Sequence, residues 1–337
     1  GNLPDSTIVD GSQYFDATTY TGNGTSQSIS SLEFQPDLVW VKNRSIAVYH
    51  TVSDSVRGAL QLLQTQSTAA EVSGSHLSSF DTNGFSVLTA AAVNGSGNSL
   101  VAWNWKANGA GVSNTDGSIT STVSANPTAG FSVVTWTGNG SNATIGHGLG
   151  VAPAFIITKY TSTTSNWSCY HASLGNTKRI LLNSTNAEQV YSAWNNTSPT
   201  SSVFSISSAL NDSGVTEVAY CFAEVEGYSK FGSYTGNGST DGTFVNLGFR
   251  PAFVMIKRTD ALDFWMVYDA ARSPYNQEIL ALYPNASNAE TTETNNPIDV
   301  VSNGFKCRGA GSTSNINNGT YIYMAFAENP FKNSLAR

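Results

Sequence analysis

Apolar residues along this chain fall in short runs rich in Val, Ile, Phe, Tyr and Trp, cut by Gly, Asn and Ser. That is the pattern of strands joined by tight turns. Three runs alternate about a small or polar residue: Val101-Ala-Trp103-Asn-Trp105, Val218-Ala-Tyr220-Cys-Phe222 and Ile322-Tyr-Met324-Ala-Phe326. Three others open on proline and reach a lysine six residues later: Pro36 to Lys42, Pro153 to Lys159 and Pro251 to Lys257. Their near-continuous apolar character predicts strands buried on both faces or inside a sandwich, with the proline at the first position, where no ladder bond is lost. Asp54 to Leu63 has a weak helical rhythm, but Arg179-Ile-Leu-Leu182 at the matching place reads as a strand, and we assign a strand to both.

These landmarks recur three times in one order, which defines the organisation of the chain. Tyr20-Thr-Gly-Asn-Gly24, Trp136-Thr-Gly-Asn-Gly140 and Tyr234-Thr-Gly-Asn-Gly238 each precede a proline-led run by 12 or 13 residues. Tyr49-His50, Tyr170-His171 and Tyr268-Asp269 follow, and an alternating strand closes each unit. From proline to last aromatic the units span 69, 69 and 75 residues. The expected fold class is all-β, with three tandem repeated β-sandwich or jelly-roll-like units. Residues 1–14 read as an N-terminal connector and 15–106 as the first unit. Residues 107–130 read as a Gly/Ser/Thr-rich linker, 131–227 as the second unit, 228–331 as the third and 332–337 as a tail. The linker is expected to flex more than the short second junction, Ala223 to Tyr234, although Ile119 to Val123 has the pattern of a short edge strand.

Composition narrows the function classes. Only 12% of residues are charged, so long solvated helices lack their usual building material. With 16 Lys+Arg against 23 Asp+Glu, no positive field exists to neutralise a phosphate backbone, and no nucleic-acid partner is expected. No apolar run approaches a membrane span, and no membrane partner is expected. Cys169, Cys221 and Cys307 read as buried thiols of a reducing compartment, with a Cys169–Cys221 disulfide as the alternative.

Candidate chemistry is sparse. The T-G-N-G element lacks a following helix and a G-K-[ST], and reads as a hairpin or bulge turn, not a phosphate loop. His50, His171 and Asp269 align as a polar cap on a strand end. Lys42, Lys159 and Lys257 read as snorkelling to solvent, against the alternative of an anion site shared between units. His147 lies between glycines in a flexible turn, and His76 in a Ser-rich loop. No catalytic, metal or cofactor motif is present, and the chain reads as a non-enzyme. Aromatic residues beside polar loops are the better lead, since sugars stack on aromatic faces. Trp194 and Asn195 are the first ligand-binding candidates. Trp167 and Trp265 are the second, although they align with Ile46 of the first unit and so read as core residues before ligand-facing ones.

Several strings bring a family into view: Phe34-Gln-Pro-Asp-Leu-Val-Trp-Val-Lys-Asn-Arg44, Asn114-Thr-Asp-Gly-Ser-Ile-Thr-Ser-Thr-Val-Ser-Ala125, Gly146-His-Gly-Leu-Gly-Val-Ala-Pro153 and Met324-Ala-Phe-Ala-Glu-Asn-Pro-Phe331. From about Leu3 onwards the chain resembles repeat-containing tail-fibre-like virion proteins of tailed phages, especially those of marine bacteria and cyanobacteria. The resemblance implies a virion protein on the tail or particle surface, assembled in the host cytoplasm with other virion proteins, commonly as a homotrimer. It further implies a tail-fibre or receptor-binding segment that attaches to a host-surface glycan or outer-membrane component. A purely structural head fibre, capsid decoration or spike base is the alternative, and a glycan depolymerase a minor one. No catalytic residue transfers with the resemblance. Linked repeats suit weak attachment, because tethered sites raise effective concentration.

Overall fold

The computed structural model describes residues 8–328, so part of the 1–14 connector and all of the 332–337 tail lie outside the described residues. The chain is all-β; the one α-helix among the described residues is Ala91–Asn94. Three antiparallel sheets share one order of four strands; the first and third are four-stranded and the second is eight-stranded. The first contains Phe15–Thr21 (β1), Leu38–Asn43 (β2), Thr51–Asp54 (β3) and Ser99–Trp105 (β4), ordered β1-β4-β2-β3. Val112–Asn114 (β5) and Ser121–Asn126 (β6) come next, then Phe131–Thr137 (β7), Phe155–Tyr160 (β8), Ser168–His171 (β9) and Thr216–Phe222 (β10), ordered β7-β10-β8-β9. The third is Ser229–Thr235 (β11), Pro251–Arg258 (β12), Trp265–Asp269 (β13) and Thr320–Ala327 (β14), ordered β11-β14-β12-β13. Each packs one face on a smaller antiparallel sheet: Gln27–Ile29 with Gly84–Val87 and Leu77–Asp81, Ala143–Gly146 with Val203–Ile206, and Phe244–Asn246 with Gly304–Cys307 and Ile298–Val301. Asp54 ends β3, and the chain turns before Gln61–Leu62 forms a short strand.

Alternation in the closing strands explains why both faces are apolar. Leu100 and Ala102, Ala219 and Cys221, and Tyr321, Tyr323 and Ala325 face the sandwich of their own repeat. Their neighbours Val101, Trp103 and Trp105, Val218, Tyr220 and Phe222, and Ile322, Met324 and Phe326 all join a single core shared by the three repeats. Trp105, Phe222 and Phe326 meet at its centre, with ring centroids 6.0, 5.7 and 6.1 Å apart in the three pairs. Cys169 lies in the shared core and Cys221 in the second repeat's own core, so no disulfide joins them; all three thiols are free and buried.

The segment 107–130 is not a bare linker. Its strands β5 and β6 add to the outer edge of β7, extending the second sheet. The Ser/Thr-rich composition that suggested flexibility also suits a half-exposed strand pair.

The T-G-N-G turn is structural, for two steric reasons. An added Cβ on Gly138 would lie 2.3 Å from the Asp212 carbonyl oxygen, and Gly140 has a φ of +77°. A wholly buried asparagine pins each turn: Asn94, Asn211 and Asn315 donate through Nδ2 to Oδ1 of Asn23, Asn139 and Asn237.

The repeats close into a ring by one repeated contact. The Glu71 backbone N–H donates to the Thr161 carbonyl, that of Glu188 to Thr259, and that of Glu290 to Arg44, at 2.8, 2.9 and 2.9 Å. The first repeat thus hands a segment to the second, the second to the third, and the third back to the first, as a head-to-tail interface does when its rotation closes. Trp167 and Trp265 pin two of these junctions, donating from Nε1 to the carbonyls of Gln64 and Leu181 at 3.0 and 2.9 Å. Trp167→Phe keeps the ring but leaves the Gln64 carbonyl without this donor. The expected loss is about 1–2 kcal/mol, read as a lower urea midpoint, and an unchanged midpoint would show that the bond does not support the junction.

Candidate functional site

The structure does not bring the expected ligand residues together at a surface. Trp194 is 1% exposed, stands edge-on to Tyr170 in the second repeat's core, and donates from Nε1 to the Lys178 carbonyl. Trp167 and Trp265 are equally buried. None of these indoles offers a face on which a sugar could stack. Asn195 is exposed, but its Oδ1 accepts from Asn142 and its φ of +48° marks it as a turn residue.

The three lysines neither snorkel nor form an anion site. All are buried, and each ammonium is ringed by oxygen acceptors that would repel an anion. Lys42 Nζ donates to the carbonyls of Asn43, Val48 and Ser287, Lys159 Nζ to those of Tyr160 and Thr68, and Lys257 Nζ to those of Asp263 and Thr185. In each set one acceptor belongs to the neighbouring repeat, so the lysines clasp the ring. Burial pulls each down to about 8. His147 is likewise buried, accepting at Nδ1 from the Leu149 N–H, rather than free in a turn.

Strand register also corrects the alignment of His50. Leu38 faces Asp54, Phe155 faces His171 and Phe253 faces Asp269, so Asp54 is the counterpart of the other two. His50 instead matches Trp167 and Trp265, and Ile46 lies in a loop. The spacing carried this signal, because Asp54, His171 and Asp269 each follow their lysine by twelve residues. Chemistry across the junctions is matched. Asp54 Oδ2 accepts from the Tyr220 hydroxyl at 2.8 Å, and Asp269 Oδ2 from Trp103 Nε1 at 3.0 Å. Met324 occupies the third donor position and has no hydrogen to give; there His171 Nε2 lies 3.2 Å from the Tyr323 carbonyl. Both aspartates hold an arginine three residues on, Arg57 and Arg272, each of which reaches a glutamate of its own repeat, Glu71 or Glu290.

A polar cleft of about 380 Å³ opens between the first and second repeats. That lies within the ~300–1,000 Å³ of ordinary small-ligand sites. One wall is built by sheet register: Ser113 pairs with Thr122, Thr122 with Thr135, and Thr137 with Thr216, whose hydroxyl lies 2.6 Å from that of Thr161. These hydroxyls continue the sheet face that carries Val133, Val218 and Tyr220 in the shared core. The opposite wall is Val56, Arg57, Gln61 and Glu71 of the first repeat. Strands β5 and β6 supply Ser113, Ser121 and Thr122 and the connection between them Thr120, so the cleft exists because the 107–130 segment is ordered on this edge. Arg57 donates from Nε to Asp54, from Nη1 to Glu71, and from Nη2 to the Val52 carbonyl and the Tyr220 hydroxyl. Among the described residues the walls carry no histidine, cysteine or lysine, and the groups they present are hydrogen-bonding hydroxyls, an amide and an ion pair. Sequence reasoning missed this site because its threonines are unremarkable one by one and only the strand register lines them up.

Fold and site together define an all-β ring of three sandwich repeats with a hydroxyl-walled cleft at one junction. The chain belongs to the family described as Domain of unknown function (DUF7483), which matches residues 10–330. No curated protein and no solved structure matches it.

Proposed function

We propose that the protein is a virion attachment segment that holds a host-surface glycan in the cleft between its first and second repeats. The hydroxyl-walled cleft is the observation that carries this reading. Sugars present donors and acceptors in pairs, and rows of threonine and serine hydroxyls with one amide, Gln61, answer both roles. A closed ring with one shared core keeps those rows in fixed register, which lowers the ordering cost of binding. The resemblance to tail-fibre-like proteins supports the virion setting.

The test is binding of the labelled chain to intact candidate host cells, competed by their isolated surface polysaccharide. Saturable, competable binding that falls roughly three- to tenfold in Thr137→Val is expected, the loss of one ligand hydrogen bond at an exposed wall position. Equal binding by wild type and variant would remove the cleft from the reading. A second reading, a purely structural particle protein, is favoured by the burial of all seven tryptophans, which leaves no indole for a ligand. It predicts no cell binding at all and a stable complex with another particle protein.

A further inference from the structure

Resting on the reading of the cleft as the attachment site, we propose that it selects uncharged glycans and turns away acidic ones such as uronate, sialate or sulfated polymers. The charges lining the cleft are Arg57 and Glu71 from the first repeat and Glu217 from the second. Glu217 lies on the opposite face of β10, on the side of Ala219 and Cys221, so the pair that faces a ligand is Arg57 and Glu71.

Arg57 is the only cation among the described residues that line the cleft, and it is already committed. Its guanidinium makes four hydrogen bonds, two of them at 2.6 Å to carboxylates, and its side chain is 5% exposed. Binding an anion would require pulling it from Asp54 or Glu71 and stranding a carboxylate against the junction, which costs more than a new pair returns. Counting Arg57 as +1 and Asp54 and Glu71 as −1 each, this end of the cleft is net −1. Glu71, whose side chain is 22% exposed, presents that charge to solvent, and the whole chain is net −7. An acidic polymer meets repulsion at long range and no free cation at contact. The rest of the wall is neutral: Gln61, Ser113, Thr122, Thr135, Thr137 and Thr216. Such groups satisfy ring hydroxyls and N-acetyl amides.

The experiment is titration calorimetry on the full chain with neutral hexose and N-acetylhexosamine oligosaccharides, and with oligo-uronates of the same length. Binding confined to uncharged ligands is expected. Thr120→Lys places a cation on the exposed wall without touching the ion pairs. It is expected to admit an oligo-uronate with a gain of roughly tenfold or more over wild type. Glu71→Gln, which removes the presented charge, should shift preference the same way. Wild-type binding of oligo-uronates as tight as, or tighter than, that of neutral oligosaccharides would overturn the selectivity while leaving the attachment reading standing. No binding of either class, together with cell binding unchanged in Thr137→Val, would remove the cleft as the attachment site and overturn this inference with it.

Discussion

Trp105→Ala is expected to cost about 3–5 kcal/mol and to lower the stability of all three repeats together. The indole is 1% exposed and touches Phe15, Phe131, Phe222, Phe253 and Phe326, rings drawn from every repeat. Removing it opens a cavity where the three sheets meet, and no single repeat can close that cavity by relaxing alone. Urea unfolding followed by both tryptophan fluorescence and far-ultraviolet circular dichroism should give one coincident transition, shifted to lower denaturant. Two separated transitions, one unmoved from wild type, would show that the repeats fold independently and that the shared core adds little. Trp105→Phe separates packing from polarity. It copies Phe222 and Phe326 and deletes a buried indole N–H that has no partner. Losing that unsatisfied donor offsets much of the lost area, so the phenylalanine variant should fall close to wild type.

The strands and the repeat were legible because they depend on local pattern. Short β-branched and aromatic runs, turn glycines and fixed spacing of lysine after proline all survive without tertiary information. What failed were statements about direction. A lysine at the end of an apolar strand ordinarily reaches water, yet Lys42, Lys159 and Lys257 meet a neighbouring repeat before they meet solvent. Trp167, Trp194 and Trp265 sit beside Asn- and Ser-rich stretches in sequence, but their N–H groups turn inward to backbone carbonyls. Once the repeats close into a ring, what would be the outer face of a lone sandwich becomes interior. The cleft was hidden for a related reason. Its wall is assembled by register across β5, β6, β7 and β10, a relation between distant residues that no local window contains.

The alignment error at His50 shows which signal to weigh. Tyr-plus-polar pairs are common in a chain with 14 tyrosines, so matching Tyr49-His50 to Tyr170-His171 carried little information. The aspartate–arginine spacing of Asp54 with Arg57 and Asp269 with Arg272 is rarer in a chain that is only 12% charged. A charged pair conserved between two internal copies has a physical reason to be there: each aspartate caps backbone N–H groups of the turn and receives a donor from another repeat.

Glu217→Gln is expected to stabilise the protein by about 4 kcal/mol at pH 7.5 and by less than about 1 kcal/mol at pH 5. Glu217 occupies the place held by Leu100 and Tyr321 in the other repeats, on the side of β10 that faces the second sandwich core. It is 1% exposed, and neither carboxyl oxygen meets a donor at hydrogen-bond distance and angle among the described residues, since the neighbouring Trp136 N–H donates to Asn211. Around it stand Trp136 from β7, Tyr160 from β8 and Asp212 from the preceding turn. Burial, reinforced by the Asp212 charge, pushes its pKa up to about 9 from 4.5. The native state therefore keeps a proton that the unfolded chain has released, and stability falls as pH rises from about 4.5 to about 9. Glu278, pushed up to about 8 by burial, adds a second fall over its own window. The clasp lysines act in the opposite sense: their native pKa lies below the unfolded one, so stability recovers as pH rises from about 8 to 10.5. Wild type should therefore be least stable near pH 8–9. The amide variant keeps the shape of the neutral acid and removes one titration, so its profile should lose a slope of about 1.4 kcal/mol per pH unit. Urea titrations of both proteins at pH 5, 6, 7 and 8 decide it, and parallel profiles would mean that Glu217 is ionised in the native state.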